Sequence, residues 1–179
     1  MTRRLPRRSL LALGGGVALA GCGFQPVYMP TASGRAGPAQ REMEAISVSN
    51  IPDRPGQLLR QALQERLEGG SRGVPRRYDL AVVFAVSGEG IGVLPDNTAT
   101  RVRLVASADW TLQGLDPART VITRGRARTS DAFNVLDQQY FAADLSNEQV
   151  QRRLASALAD QIAMQLAVFF RRQAAQQSG

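Results

Sequence analysis

The segment that most constrains the fold is the run from Arg101 to Trp110, in which every second residue is apolar. Because successive side chains of a β-strand point to opposite faces of the sheet, this alternation predicts a half-buried strand. Such a strand needs neighbouring strands for its backbone and a second layer over its apolar face. The apolar positions are Val102, Leu104, Ala106, Ala108 and Trp110.

Three other runs predict the rest of a sheet. Residues 44–50 form a short strand, and Tyr78 to Val86 is rich in β-branched residues. A run from about Thr120 to Thr129 follows a turn and should pair with the alternating strand as an antiparallel hairpin. Residues 87–99 are rich in glycine and polar residues, and we expect them to form a long solvated loop.

Two helices are predicted to cover this sheet. The first begins after Asp53, its N-cap, and ends at Gly69-Gly70, a strong C-terminal signal. The second begins at Ser146, which has the capping-box spacing to Gln149 and precedes a long apolar stripe. The order β-α-β-β-β-α predicts an α+β fold, in which two helices pack on a mostly antiparallel four-stranded sheet.

The N-terminus has the three parts of a bacterial lipoprotein signal. Four arginines among residues 1–8 precede an apolar run, and the small residues Ala20-Gly21 stand before Cys22. A spanning helix needs about 20 apolar residues, whereas this run has 11 and contains three glycines. We therefore expect cleavage before Cys22, attachment of diacylglycerol to its sulfur and acylation of its amine. Arg7-Arg8 also permits twin-arginine export, so the export route stays open.

The chain is thus predicted to have four parts. Residues 1–21 are a cleaved signal peptide, residues 22–42 a lipidated tether rich in Gly, Pro, Ser and Ala, residues 43–175 a single α+β domain, and residues 176–179 a tail. The signal carries four arginines and no acid, so its removal lowers the formal net charge from +7 to +3. The remaining 158 residues suffice for one hydrophobic core.

Composition excludes most catalytic chemistry. The mature chain has no histidine, no lysine and no cysteine other than Cys22. Thiolate nucleophiles, histidine bases and Cys/His metal sites are therefore excluded. We expect no catalytic residue, no metal and no cofactor besides the acyl and diacylglycerol groups on Cys22. A hydrolase that uses carboxylates alone, such as Glu89, Asp96 and Asp109, stays an alternative.

Arginines concentrated on the predicted hairpin are the most chemically suggestive feature of the domain. One interpretation is an exposed face that is neutralised by Asp109, Asp131 or Glu89. The other is a site for phosphate or carboxylate, because guanidinium groups bind these anions in a bidentate manner. An anionic glycolipid suits an exported, lipidated protein of low net charge better than nucleic acid does. The arginines are Arg101, Arg103, Arg124, Arg126 and Arg128.

Residues 19–28, Leu-Ala-Gly-Cys-Gly-Phe-Gln-Pro-Val-Tyr, resemble the lipobox and the following Cys-Gly-Phe-x-Pro-x-Tyr of the lipopolysaccharide-assembly lipoprotein family LptE. Residues 96–104 resemble the start of that family's third strand. Residues 133–135, residues 140–142 and the long helix over 148–171 resemble its C-terminal third. The resemblance extends over essentially the whole chain.

This resemblance implies a non-enzymatic protein anchored on the periplasmic side of the outer membrane. Members of the family plug the β-barrel translocon LptD, help it fold and assist insertion of lipopolysaccharide, which they bind. Cys22 matches the acylated cysteine, and the following Gly23 is compatible with outer-membrane sorting. The implied partners are LptD, lipopolysaccharide and the membrane, with no nucleic acid. A periplasmic lipoprotein that binds peptidoglycan or another envelope component is the alternative.

Overall fold

A computed structural model describes residues 37–68, 74–93, 99–134 and 140–177. The predicted signal peptide, Cys22 and most of the predicted tether lie outside these residues. The elements are, in chain order, α1 (Pro38–Glu44), β1 (Ile46–Val48), α2 (Arg54–Glu68), β2 (Tyr78–Val93), β3 (Ala99–Gly114), β4 (Val121–Asn134) and α3 (Tyr140–Gln177).

The four strands form one sheet in the order β1-β2-β3-β4. β1 is parallel to β2, which requires the crossover that α2 supplies, and the other two pairs are antiparallel. The predicted α+β fold, with two helices on a mostly antiparallel four-stranded sheet, is confirmed. The short helix α1 is additional and lies where the predicted tether meets the domain.

The helices bury the apolar face of the sheet because their own apolar residues recur every fourth position. In α2 these are Leu59, Leu63 and Leu67, all buried. α3 presents a longer buried stripe across the same face of the sheet. That stripe consists of Val150, Leu154, Leu158, Ile162, Leu166 and Phe170. The alternation predicted for β3 is also confirmed, since Leu104, Ala106, Ala108 and Trp110 are buried beneath the helices.

The prediction of a loop over residues 87–99 is wrong for the first half of this segment. β2 continues to Val93 and β3 begins at Ala99, and the register pairs Ser87 with Val105 and Glu89 with Arg103. Glycine and polar residues have little preference for strands. Here the long partner strand β3 supplies the backbone hydrogen bonds that local sequence does not reveal.

Two other predicted boundaries are also wrong. α3 begins at Tyr140, six residues before the predicted cap Ser146. No glycine or proline interrupts residues 140–146, so nothing prevents the helix from extending in the N-terminal direction. β1 spans three residues rather than the predicted 44–50, because Glu44 belongs to α1.

Gln165 of α3 connects the helix to the sheet through two hydrogen bonds. Trp110 donates a hydrogen bond from Nε1 to Oε1 of Gln165 at 2.9 Å, and Gln165 donates from Nε2 to the carbonyl oxygen of Arg126 at 3.1 Å. Gly125 lies directly opposite Trp110 in the register. A Cβ atom at Gly125 would be 2.5 Å from Cζ2 of the indole ring. The indole therefore requires glycine on the neighbouring strand.

We expect Gly125→Ala to lower the free energy of unfolding by about 1–3 kcal/mol, because the added methyl group overpacks a rigid ring. Urea unfolding followed by circular dichroism measures this difference. Gly88→Ala is the matched control, since the nearest neighbour of its Cβ would be the flexible end of Leu104, at 3.2 Å. Equal effects of the two substitutions would contradict the proposed contact.

Candidate functional site

The strand register places all five candidate arginines on the face of the sheet that points away from the helices. Arg124, Arg126 and Arg128 on β4 lie opposite Thr111, Asp109 and Ser107 on β3. Arg101 and Arg103 are odd-numbered residues of β3, as these three partners are, so their side chains point to the same face of the sheet. This outer face is not part of the hydrophobic core, and all five arginines are exposed.

The arginines form two groups. Arg124, Arg126 and Arg128 occupy alternate positions of the edge strand β4, so that each lies about 7 Å from the next. We refer to these three residues as the arginine row. Arg101 and Arg103 lie near the N-terminal end of β3, opposite Asn134 and Ala132 of β4.

Two of the arginines are neutralised within the chain. Arg126 binds Asp109 in a bidentate manner, with Nε 2.5 Å and Nη2 3.1 Å from the carboxylate oxygens. Arg103 lies 3.0 Å from Glu89 on β2. The third predicted counter-ion, Asp131, faces the helices instead and pairs with Arg153 of α3 at 2.6 Å.

The other members of the row have no such partner. Among the described residues, no hydrogen bond or ion pair involves the guanidinium group of Arg124 or Arg128. Arg128 does donate its backbone N–H to Gln161 at 3.3 Å, which leaves its side chain directed to solvent. The row therefore offers two guanidinium groups to an external anion.

Two shallow depressions adjoin Arg128 on the outer face. One has a volume of about 470 Å³ and the other about 330 Å³. Serine hydroxyls line both depressions, and together with a guanidinium group they supply the donors that bind phosphate oxygens. Arg103, Glu89 and Ser130 line only the first, Arg126, Asp109 and Ser107 only the second, and Ser87, Val105 and Arg128 line both.

The part of this face formed by β2 has a different chemistry. Ala81, Val83 and Ala85 are small or apolar, and the side chain of Val83 is 75% exposed. They lie two strands, about 10 Å, from the arginine row. The sequence signal for this apolar column is the set of small residues between the buried positions of β2. Our prediction of the site did not include it.

The outer face can therefore contact both parts of an anionic amphiphile. The arginine row suits an anionic headgroup, and the apolar column, two strands away, suits a hydrocarbon chain. No covalent chemistry is needed for such an interaction.

The carboxylates do not form an acid/base pair. Glu89 is adjacent to Arg103 and Asp109 to Arg126, and six residues of β3, about 20 Å, separate the two positions. Carboxylate pairs that hydrolyse glycosides are within about 10 Å. Asp96 lies outside the described residues. The placement of Glu89 and Asp109 gives no support to the carboxylate hydrolase.

Within the described ranges, no group of three or more His, Cys, Asp or Glu residues is placed to hold a metal ion. No helix in the described part of the chain has an apolar stretch long enough to cross a bilayer.

Comparison with known proteins gives one family match. The model of the LptE family, described as lipopolysaccharide-assembly, matches residues 43–166. The match begins within α1 and includes most of α3. No curated protein matches the chain.

Solved structures share the fold. A putative lipoprotein from Caulobacter crescentus CB15 is 25% identical with a TM-score of 0.61, and the match covers 74% of this chain and 95% of that one. The rare lipoprotein B from Shewanella oneidensis is 13% identical with a TM-score of 0.51, over 69% of this chain and 92% of that one. Because the identity to the Shewanella oneidensis protein is only 13%, that similarity concerns the fold alone.

The geometry at Asp109 predicts a measurable titration. The hydrogen bond from Arg126 lowers the pKa of Asp109 below its ordinary value. The stabilisation is therefore present above the unfolded-state pKa and is lost as the pH falls through the lower folded-state pKa. We expect carboxyl NMR titration to show a low pKa that returns to the usual range in Arg126→Ser. Arg128→Ser, the control, should leave the pKa of Asp109 much less affected.

Proposed function

This chain belongs to the LptE family of lipopolysaccharide-assembly proteins, and we propose that it is a lipid-anchored, non-enzymatic subunit of the lipopolysaccharide translocon. The family model supports this proposal because it covers 43–166, which includes the whole sheet, α2 and most of α3. The composition of the mature chain, without histidine or a second cysteine, agrees with a function in binding.

We propose that the partner is the β-barrel LptD, and that this domain plugs its lumen and assists its assembly. A plug must be folded independently of the barrel wall and must present polar surface to a water-filled lumen. The described residues fit both requirements. The core is formed entirely between the helices and the inner face of the sheet, whereas the outer face and the solvent side of α3 carry charged and polar residues.

The anchor in this proposal is Cys22, after cleavage of residues 1–21. Two acyl-type attachments, the S-diacylglycerol and the N-acyl group, are needed because a single chain binds membranes only marginally. Residues 22–36 precede the first described residue, Gly37, and 15 extended residues span at most about 50 Å. The domain can therefore work well away from the periplasmic surface of the outer membrane to which it is attached.

The ligand that we propose is inferred from the chemistry of the outer face of the sheet. Arg124 and Arg128 have no anionic partner among the described residues, and an apolar column centred on Val83 lies two strands away on the same face. Lipopolysaccharide combines phosphate groups with hydrocarbon chains. We propose that its phosphates contact the arginine row, with Arg101 and Arg103 as additional cations at the far end of the face.

Co-purification tests the partner. Extraction of the full-length protein in mild detergent should recover it bound to an integral outer-membrane barrel, because a plug is enclosed by its partner. The Cys22→Ser variant lacks the lipid anchor, so it distinguishes direct binding to the barrel from mere attachment to the same membrane. Recovery of the wild-type protein without a barrel, or with peptidoglycan or another envelope component, would contradict the proposal.

Substitution of the arginine row tests the ligand. We expect Arg124→Ser, Arg126→Ser and Arg128→Ser, combined, to weaken lipopolysaccharide binding at least about tenfold, since each charge-assisted hydrogen bond contributes about 1.5–3 kcal/mol. Isothermal titration calorimetry measures the affinity. The circular-dichroism spectrum should not change, because the row is exposed.

The matched control for this experiment removes three exposed arginines elsewhere. Arg41, Arg152 and Arg172 lie on helices, so their replacement by serine changes the net charge equally but leaves the outer face intact. Equal losses of affinity in the two triple variants would indicate a general charge effect. Unchanged affinity in the arginine-row variant would make the row an ordinary solvated face.

A further inference from the structure

The larger of the two depressions on the outer face is bordered by arginines from two strands. Arg103 of β3 and Arg128 of β4 both line this space of about 470 Å³. In the register Arg103 lies opposite Ala132, which is four residues, or about 14 Å, along β4 from Arg128. The two guanidinium groups therefore border the same depression from opposite ends.

Unpaired hydroxyl groups lie between these two arginines. Ser87 and Ser130 are the register neighbours of Val105 on its two sides, and all three residues line the depression. Among the residues that the structure describes, neither hydroxyl has a hydrogen-bond partner. Hydroxyl and guanidinium donors are the groups that bind the oxygens of a phosphate. The depression thus has the donors for one phosphate group.

A weak ion pair occupies one end of the depression. Arg103 donates a hydrogen bond from Nη1 to Oε1 of Glu89 at 3.0 Å, and the two side chains are 48% and 56% exposed. By contrast, Arg126 binds Asp109 through two nitrogen atoms. Exposed ion pairs with a single contact contribute little to stability. Glu89 is therefore the more easily displaced of the two carboxylates.

The backbone around Glu89 is also suited to movement. Gly88 and Gly90 flank it, and the regular register between β2 and β3 is interrupted between Gly90 and Gly92. Glycine permits more backbone conformations than any other residue. Irregularities of this kind re-aim side chains and are frequent beside binding sites.

We propose that Glu89 holds Arg103 in place of a ligand's phosphate group, and that a phosphomonoester displaces this carboxylate when it binds. The phosphate carries a charge of about −1.5 to −2 at neutral pH, more than a carboxylate, and has three acceptor oxygens. It contacts Arg103 and Arg128 together, with Ser87 and Ser130 as further donors. Glu89 is then an internal competitor that lowers the affinity for the ligand.

This inference rests on the proposed function, since the phosphomonoester is taken to be part of lipopolysaccharide. Inorganic phosphate offers the same chemistry without the lipid. Glu89 also has a purpose before the ligand binds, because like charges at one site repel each other and the carboxylate neutralises one of the two arginines.

Removal of the competing carboxylate tests the proposal. We expect Glu89→Gln to raise the affinity of the mature, lipidated chain for lipopolysaccharide about three- to tenfold, because Arg103 is then free and the phosphate meets no negative charge. Isothermal titration calorimetry in detergent measures the affinity. An affinity of Glu89→Gln that is unchanged or lower would overturn the proposal.

The matched control removes an acid on the other side of the sheet. Glu65→Gln changes the net charge equally, and Glu65 is exposed on α2. Its effect should stay below about twofold, because salt screens charges that are distant from the ligand. Equal gains of affinity in the two variants would indicate a general charge effect and would contradict a specific role of Glu89.

A double variant tests whether Glu89 acts through Arg103. Arg103→Gln alone should weaken binding at least about threefold, because a charge-assisted hydrogen bond is lost. In the Arg103→Gln background, Glu89→Gln should raise the affinity clearly less than in the parent, since the effects of residues in contact are not additive. A full gain in that background would mean that Glu89 only repels the ligand.

Two probes distinguish the source of the phosphate. The NMR signals of the side-chain Nε–H groups of Arg103 and Arg128 are followed during titration with inorganic phosphate and, separately, with lipopolysaccharide. Movement of both signals with inorganic phosphate, at lower concentrations in Glu89→Gln, would show that the phosphate group alone is sufficient. Movement with lipopolysaccharide only would assign the site to a phosphate that the lipid holds in place. An Arg103 signal that responds to neither probe would overturn the proposal.

The outcomes also separate this inference from the proposed function. If the parent and Glu89→Gln bind lipopolysaccharide equally while the arginine-row variant loses affinity, the ligand is right and the displacement of Glu89 is wrong. If lipopolysaccharide does not bind but inorganic phosphate moves the Arg103 and Arg128 signals, the depression is a phosphate site and the proposed ligand is wrong.

Discussion

The packing of α3 across the inner face of the sheet is the interaction on which the rest of the structure depends. Its stripe from Val150 to Phe170 packs against the inner side of β3 and β4, so the core lies on one face of the sheet. The Trp110–Gln165 hydrogen bond and the absence of a Cβ at Gly125 set the position of the helix relative to the strands. Because the core needs only one face, the other face is free to carry charge.

On that outer face, acidic side chains are paired with some of the arginines. Like charges in adjacent strands repel one another, and the sheet limits this repulsion by placing Asp109 beside Arg126 and Glu89 beside Arg103. Arg124 and Arg128 are left without a partner among the described residues. A face that served only for solubility would not need this arrangement beside an apolar column. The anionic lipid that we propose as ligand would account for the cations and the exposed apolar side chains together.

The two edges of the sheet are treated in opposite ways. Side chains of α3 bond to the β4 edge, whereas β2 extends far beyond its short neighbour β1. Backbone groups on a free edge are an obligatory source of hydrogen bonds. The outer face, in contrast to the edges, is the surface that we propose to bind a ligand by charge and apolar contact.

The sequence by itself determined the order of elements and the shared face of the arginines, because periodicity of 2 and of 3.6 residues is written locally in 101–110, 53–67 and 150–170. The lipobox at Cys22 and the family resemblance also needed no structure. Only the tertiary structure decided that residues 87–93 are a strand, that α3 starts at Tyr140, and which arginines are neutralised. The reason is physical: hydrogen bonds of a glycine-rich strand come from its neighbour β3, and ion pairs between strands depend on register, so neither is encoded in adjacent residues.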